Sequence, residues 1–184
     1  MPTTRKIAVS IGFVALGVAL SPLANIPIGP IKAYPFQHMI NILAAVMLGP
    51  LYAAIVAIII GILRNMIGTG TFFAFPGGVP GGIVVGLLYW YVRKTDWMAF
   101  TENLGTVCIG ATIGYLIAAP LTTKQFILGF IPIGPPIPFV FGGSVIIPPG
   151  MLALWVTFAM SCIPGSIIGF LVLKALRRAG IVTT

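Results

Sequence analysis

Long apolar runs with few charged side chains recur along this chain, and they constrain its fold more than any other feature. Four of them are Ile7 to Ala24, Pro50 to Ile67, Thr101 to Ala119 and Pro149 to Leu176. A transmembrane helix needs about 20 apolar residues, within a range of roughly 17 to 25. Each run therefore predicts one membrane-spanning helix, and we expect Pro164 to bend the last one.

The composition excludes soluble and disordered chains. Of 184 residues, 59% are hydrophobic and 7% are charged, whereas an average soluble domain is about 25% charged. The net charge of +8 would suggest a nucleic-acid partner in a soluble protein. Here the basic residues lie at the ends of apolar runs, where they set topology and meet anionic headgroups. We therefore expect one integral membrane domain over residues 1–184, with a lipid partner and no nucleic acid.

Two shorter apolar runs complete the predicted fold, an all-α bundle of six transmembrane helices. Phe36 to Gly49 counts 14 residues and Gly78 to Val92 counts 15, and burial among other helices would accommodate both. With the N-terminus in the cytoplasm, Lys32, Arg64 and Lys124 fall outside and the other seven basic residues fall inside. This asymmetry satisfies the positive-inside rule, so both termini are predicted to be cytoplasmic.

The predicted external loops are long and rich in Pro and Gly. They run from Asn25 to Pro35, from Gly68 to Gly77 and from Leu121 to Pro148. The third counts 28 residues and carries several Phe, Ile and Leu residues. Loops of this length usually serve as lids or binding loops. We therefore expect structured loops that cap the outer face of the bundle.

Polar side chains within the predicted spans are costly, and each is a functional candidate for that reason. The i, i+3 and i+4 spacings place Gln37, His38 and Asn41 on one helical face. Polar and aromatic groups on three other segments reach the same level, under the outer loops. A pocket with apolar walls and a few polar groups is the expected result. The candidate substrate-binding residues are Lys32, Gln37, His38, Asn41, Arg64, Asn65, Thr69, Phe72, Phe75 and Tyr115.

Each of these candidates also has a purely structural interpretation. Arg64 could extend to the outer headgroups, and Gln37 and His38 could be anchors that tie helices together. Asn41 could form a hydrogen bond between two helices. Tyr115 and the three Phe residues from 72 to 75 could belong to an aromatic belt at the membrane interface.

The sequence offers little for an enzyme. Asp96 and Glu102 are the only carboxylates, and both are predicted on the inner side, away from His38. No Ser-His-acid or paired-carboxylate arrangement can then be assembled. We expect Glu102 at a helix start, where the helix dipole and Arg93 or Lys94 would stabilise it.

Motifs for metals and cofactors are also missing from the sequence. Cys108 and Cys162 form no CxxC motif, so neither a zinc site nor a disulfide framework can be read. The Gly-rich stretch from Gly68 to Gly78 follows no strand and precedes no acidic residue at about 20 residues, as a dinucleotide site would require. There is no Walker motif. We therefore expect no metal, no cofactor and no ATPase activity in this chain.

Two stretches resemble the ThiW family. One is Phe36-Gln-His-Met-Ile-Asn-Ile-Leu-Ala-Ala-Val-Met-Leu-Gly-Pro50. The other comprises Leu63-Arg-Asn-Met-Ile-Gly-Thr-Gly-Thr and Ala74-Phe-Pro-Gly-Gly78. ThiW proteins are substrate-binding (S) components of energy-coupling factor (ECF) transporters. The resemblance covers nearly the whole chain.

The resemblance implies a vitamin-uptake subunit with six helices in the cell membrane of a prokaryote. Its implied partners are an ECF transmembrane coupling protein and two ATPase subunits. In this superfamily an AxxxA face on the first helix contacts the coupling protein, and Ala15-Leu-Gly-Val-Ala19 matches that pattern. Packing within the bundle would explain the small residues equally well.

The implied substrate is hydroxyethylthiazole, the thiazole precursor of thiamine. A cation such as thiamine would need an anionic partner in a dry pocket, and the predicted outer face offers none. A neutral heterocycle therefore suits the site better.

Three alternatives stay open. The chain could be an S component for another small vitamin or thiamine-related precursor. It could be a self-sufficient secondary carrier, although the sequence suggests no buried carboxylate for ion coupling. A membrane enzyme would have to rely on His38.

Overall fold

The computed structural model describes residues 2–23, 26–28, 31–118, 126–127, 131–132, 139–141, 144–146 and 149–182. Six helical segments form the bundle, as predicted. The first four are α1 (Thr3–Leu20), α2 (Pro35–Leu48), α3 (Pro50–Met66) and α4 (Ala74–Tyr91). A 3₁₀ helix (Asp96–Thr101) leads into a fifth segment, which is π-helical at Leu104–Gly110 and Gly114–Ala118 and α-helical at Ala111–Ile113. The last helix spans Pro149–Arg178.

Short antiparallel hairpins lie in the loops and leave the all-α class of the bundle unchanged. The first pairs β1 (Ile26–Ile28) with β2 (Ile31–Ala33), so that Ile26 stands opposite Ala33. The second pairs β3 (Phe126–Ile127) with β4 (Ile131–Pro132), and the third pairs β5 (Phe139–Phe141) with β6 (Ser144–Ile146). Within the described residues, the first and third predicted external loops thus contain ordered strands.

Two helices among the described residues are long and apolar enough to cross a membrane by themselves: Thr3–Leu20 and Gly150–Arg178. The 14-residue α2 is shorter, and twelve of its residues are buried. A helix that is buried on all sides lies in the core of a protein, so α2 occupies the centre of the bundle. In contrast, α1 lies at the periphery, where only Gly17 is buried.

The sequence explains the sharp reversal between α2 and α3. Pro35 and Pro50 each stand in the first turn of a helix, where the missing N–H costs nothing and the fixed φ favours helix. Gly49 between the two helices has φ 98°, a left-handed conformation that glycine adopts readily.

The helices alternate in direction, which gives the bundle two distinct ends. At the end that we call the basic end, the Lys6 ammonium lies 5.3 Å from the Tyr52 ring centroid. Arg177 forms an ion pair there with Asp96 and donates a 2.8 Å hydrogen bond to the Tyr89 hydroxyl. At the opposite end, which we call the hairpin end, α2 begins directly after the β1–β2 hairpin.

Two boundaries differ from the sequence prediction. Residues 74–77, predicted as part of the second external loop, form the first turn of α4. Pro76 fits there because a first-turn residue needs no backbone N–H. The stretch from Arg93 to Phe100, which we predict from the sequence as a short turn on the inner side, contains most of the 3₁₀ helix Asp96–Thr101. At about 2 Å per residue, six residues rise about 12 Å, which carries Glu102 from the basic end into the middle of the bundle.

Candidate functional site

A cavity lies between α2, α4 and the last helix, towards the hairpin end. Its volume is about 40 Å³, room for roughly two or three water molecules at about 10–15 Å³ each. Its wall combines five polar side chains of α2, α3 and the last helix with aromatic rings and small residues. The lining residues are Ala33, Tyr34, Gln37, His38, Arg64, Thr71, Phe73, Ala74, Gly77, Thr157, Phe158 and Ser161.

Arg64 is a buried cation at the edge of this cavity, with 2% of its surface exposed. Its Nη1 donates to Gln37 Oε1 at 2.6 Å and its Nη2 donates to the Thr69 carbonyl at 3.2 Å. The guanidinium carbon lies 3.9 Å from the Tyr34 ring centroid, in cation–π contact. Within the described part of the chain, Nε of Arg64 donates no hydrogen bond. A buried donor left over in this way is costly unless a ligand or water accepts from it.

Polar side chains of α2 and the fifth segment form hydrogen bonds with the glycine-rich backbone of α4. Gln37 Nε2 donates to the Ala74 carbonyl at 2.9 Å, and Asn41 Nδ2 donates to the Gly78 carbonyl at 3.0 Å. Thr106 Oγ1 donates to the Gly77 carbonyl at 2.9 Å. At Gly78 and Gly81 a Cβ atom would collide with polar side chains packed against α4. The glycines of α4 therefore let polar groups reach its backbone.

His38 links the cavity to a polar cluster beneath it. Its Nε2 lies 3.1 Å from Ser161 Oγ, which also accepts the Tyr34 backbone N–H at 2.8 Å. Its Nδ1 lies 2.8 Å from Glu102 Oε1. His38 is thus held on both ring nitrogens, and 4% of its surface is exposed.

Glu102 is fully buried in the middle of the bundle. Its Oε1 accepts a hydrogen bond from Asn41 Nδ2 at 3.3 Å, beside the His38 contact. It also lies 2.9 Å from Thr106 Oγ1, whose one proton is shared between Glu102 and the Gly77 carbonyl. The Cys162 thiol donates to Oε2. Hydrogen bonds from four side chains are what a buried carboxylate needs to offset its desolvation.

The sequence prediction for Glu102 was wrong. We expected it on the inner side, away from His38 and beside Arg93 or Lys94, with no His–acid pair anywhere. The 3₁₀ helix Asp96–Thr101 raises it to the level of Gly81, where it bonds to His38. Because we predicted no helix for most of these residues, the rise could not be foreseen: a turn or loop has no fixed advance per residue.

The ligand atoms of His38, Glu102 and Cys162 lie within 4.8 Å of one another. Zinc accepts these three ligand types. Here all three side chains are already joined by hydrogen bonds, so the cluster is a satisfied polar core. The predicted absence of a metal remains a prediction.

The structure brings Gln37, His38 and Arg64 together at the cavity. Asn41 lies one helical turn below them, bonded to α4 and Glu102. Asn65 lies outside the cavity, and its Nδ2 donates to the Gly61 carbonyl at 2.7 Å and the Thr71 carbonyl at 3.2 Å.

The remaining candidates lie elsewhere. Thr69 Oγ1 is 2.8 Å from Ser21 Oγ, so it ties the second loop to the end of α1. Phe72 and Phe75 line a separate apolar groove between α3, α4 and the fifth segment. Tyr115 is fully buried in an apolar cluster behind Phe73 and Phe158. The side chain of Lys32 and all of Lys124 lie outside the described residues.

Sequence reasoning missed most of the wall that the last helix provides. Thr157 and Ser161 lie four residues apart, one helical turn, in an otherwise apolar span. Glu102 and Thr106 repeat this spacing at the start of the fifth segment. Pairs of polar residues one turn apart in an apolar run are the signal that would have identified both.

A polar cavity enclosed by apolar helices is typical of membrane proteins that bind a small molecule. The comparison with known families specifies this class further. The sequence model of ThiW, described as thiamine-precursor transporter protein (ThiW), matches residues 7–147. The chain belongs to the ThiW family, and membership indicates a transporter of a thiamine precursor in a membrane.

Neither a curated protein nor a solved structure matches the chain.

Proposed function

We propose that this chain is the S component of an ECF-type vitamin transporter and captures hydroxyethylthiazole from outside the cell. The observation that carries the proposal is the buried Arg64 guanidinium with an undonated Nε, beside His38 at one cavity, in a chain of the ThiW family. The chain binds and releases its substrate, and ATP hydrolysis by partner subunits drives uptake.

The chemistry of the cavity wall favours a neutral heterocycle. Arg64 is the charged residue among the described residues that line the cavity, and a cationic ligand would be repelled by it. A thiazole ring nitrogen or a hydroxyl oxygen can accept from Arg64 instead. Phe73 and Phe158 meet edge to face, with ring centroids 6.4 Å apart, and provide an apolar surface for the ring.

Entry of a thiazole requires the wall to expand. A cavity of about 40 Å³ is far smaller than ligand pockets of about 300 to 1,000 Å³. The aromatic pair Phe73 and Phe158 stands between the cavity and an apolar cluster, where a change of rotamer would enlarge it. We therefore propose that the described state is a contracted, ligand-free one.

Isothermal titration calorimetry on the detergent-purified chain tests the proposed substrate. Hydroxyethylthiazole is expected to bind at one site, and thiamine is expected to bind at least about tenfold more weakly, about 1.4 kcal/mol. Mass spectrometry of co-purified small molecules provides an independent check. Binding of thiamine, a flavin or biotin with no binding of the thiazole would overturn the assignment.

A proton-coupled secondary carrier is a second candidate, because Glu102 is a buried carboxylate at mid-bundle. The objection to a carrier from the sequence was the lack of a buried carboxylate for ion coupling. The position of Glu102 removes this objection. Uptake in cells treated with a protonophore while ATP is maintained separates the two mechanisms. Persistent uptake supports ATP-driven transport, and its loss supports the carrier.

A further inference from the structure

We infer that Glu102 fixes His38 as a hydrogen-bond acceptor towards the cavity, so that the site selects ligands that bring a hydroxyl or N–H donor. The inference rests on the proposed function, since it concerns the same cavity and substrate. Glu102 does not itself line the cavity and acts as a positioning residue for His38, which does.

The first step is the proton on Nδ1 of His38. An ionised carboxylate can only accept hydrogen bonds, and Glu102 Oε1 lies 2.8 Å from Nδ1. Asn41 and Cys162 also donate to this carboxylate, and an ionised carboxylate accepts all of these hydrogen bonds. Nδ1 therefore carries a proton and donates it to Glu102.

The second step is the state of Nε2, which faces the cavity wall. In a neutral imidazole with Nδ1 protonated, Nε2 is an acceptor. Ser161 Oγ accepts the Tyr34 N–H at 2.8 Å and lies 3.1 Å from Nε2, so its hydroxyl proton is free to point at Nε2. A ligand hydroxyl that takes the place of the Ser161 hydroxyl at this nitrogen must likewise donate.

Close packing holds this orientation in place. A Cβ at Gly165 would lie 2.6 Å from the Cβ of His38, so the last helix packs directly against the base of this side chain. A Cβ at Gly81 would collide with Glu102 Oε1 and with Thr106 Oγ1. Backbone thus lies close to both side chains of the pair, and hydrogen bonds to Glu102 and Ser161 hold the imidazole between them.

The cavity is therefore polarised between two groups of opposite hydrogen-bonding character. Arg64 lines the cavity and has a buried Nε that donates to no described group, and His38 lines it too, with Nε2 as the acceptor of the Ser161 hydroxyl. Hydroxyethylthiazole matches both groups, with its ring nitrogen accepting and its hydroxyl donating. Its O-methyl ether keeps every acceptor and loses the donor, which makes it the matched probe.

The first experiment compares the two thiazoles by calorimetry. The unsubstituted chain is expected to bind the alcohol at least about tenfold more tightly than the ether, since an unpaired buried polar group costs about 1–3 kcal/mol. In Glu102→Gln the amide can donate to Nδ1, which moves the imidazole proton to Nε2. This variant is expected to lose the preference for the alcohol, whereas Asp96→Asn, the same change at the other carboxylate, is expected to retain it.

The second experiment needs no ligand. His38 is the single histidine of the chain, so ¹⁵N-histidine labelling gives one pair of ring-nitrogen signals. The unsubstituted chain is expected to show the Nδ1–H tautomer. An Nε2–H tautomer in this spectrum overturns the inference. The test uses the unsubstituted chain, so it remains decisive if Glu102→Gln fails to fold.

The outcomes separate this inference from the proposed function. If neither thiazole binds, the proposed substrate is wrong, and the ¹⁵N spectrum still decides the state of His38. If the unsubstituted chain binds alcohol and ether equally, the selection for a donor is wrong and the substrate assignment stands.

Discussion

Arg64 combines two roles at the scale of a single residue. It is held by Gln37, the Thr69 carbonyl and the Tyr34 ring, and it keeps one donor unused beside the cavity. Only 2% of the Arg64 surface is exposed, whereas a side chain that extended to the headgroups would expose its charged end. The structure thus favours the pocket interpretation of Arg64.

Arg64→Ala is expected to weaken thiazole binding about 10- to 100-fold, because a hydrogen bond from a charged donor contributes about 1.5–3 kcal/mol. Calorimetry with hydroxyethylthiazole measures the loss. Arg64→Lys should recover part of it, since the ammonium keeps the charge but lacks the planar fork. Arg93→Ala, at an exposed arginine of the basic end, is the control and should bind normally. Unchanged binding in Arg64→Ala would reduce Arg64 to a structural cation.

The sequence identified cavity residues where their spacing along a single helix places them on one face. Gln37, His38 and Asn41 share a helical face whatever the rest of the fold does. Glu102 and Ser161 become partners of His38 from positions more than 60 residues away. Periodicity within one helix carries no information about which neighbouring helix will face it.

At the scale of secondary-structure elements, the glycine faces decide how closely the helices approach. Gly165 of the last helix packs against Pro35 and His38 of α2, with space for no Cβ atom. This contact positions Ser161, one helical turn earlier, beside His38. The last helix thus provides a cavity wall only because it packs against α2 at a glycine.

Gly165→Ala is expected to destabilise the chain by about 1–3 kcal/mol through overpacking and to lower affinity for the thiazole. Thermal unfolding in detergent and calorimetry measure the two effects. Gly12→Ala in α1 is the matched control, since nothing lies within 4 Å of a Cβ at that position. If both variants unfold at the same temperature, the close approach of the last helix is not required.

At the scale of the whole molecule, the clustered basic residues and the cavity lie towards opposite ends of the bundle. Basic residues from α1, from the stretch after α4 and from the last helix meet at the basic end, and the cavity lies towards the hairpin end. This distribution supports the proposed orientation, with cytoplasmic termini and an outward-facing cavity.

Introduced cysteines test this orientation in intact cells, in a Cys108→Ser background where the remaining Cys162 is buried. Leu23→Cys, at an exposed position after α1, is expected to react with a membrane-impermeant maleimide. Arg178→Cys, at the basic end, is expected to react only after lysis. The reverse pattern of labelling would place the cavity on the cytoplasmic side.

The exposed face of α1 is the proposed contact with the coupling protein. Ala15 and Ala19 are exposed, so packing within the bundle does not account for them. The double variant Ala15→Leu/Ala19→Leu is expected to bind the thiazole normally and to lose at least about tenfold of its ATP-driven uptake. Radiolabelled uptake with the partner subunits co-expressed measures the loss. Equal uptake would exclude this face as the contact.

The sequence by itself determined the apolar helices, their alternating direction and the polar face of α2. These properties depend on composition and on spacing along one helix, which no neighbour can change. Only the tertiary structure decided that Glu102 lies under His38, that the last helix supplies Ser161 and that Phe72 and Phe75 line a different groove. Those relations depend on the advance of a short 3₁₀ helix and on the glycine contacts between helices, and both are set by packing between segments that are distant in sequence.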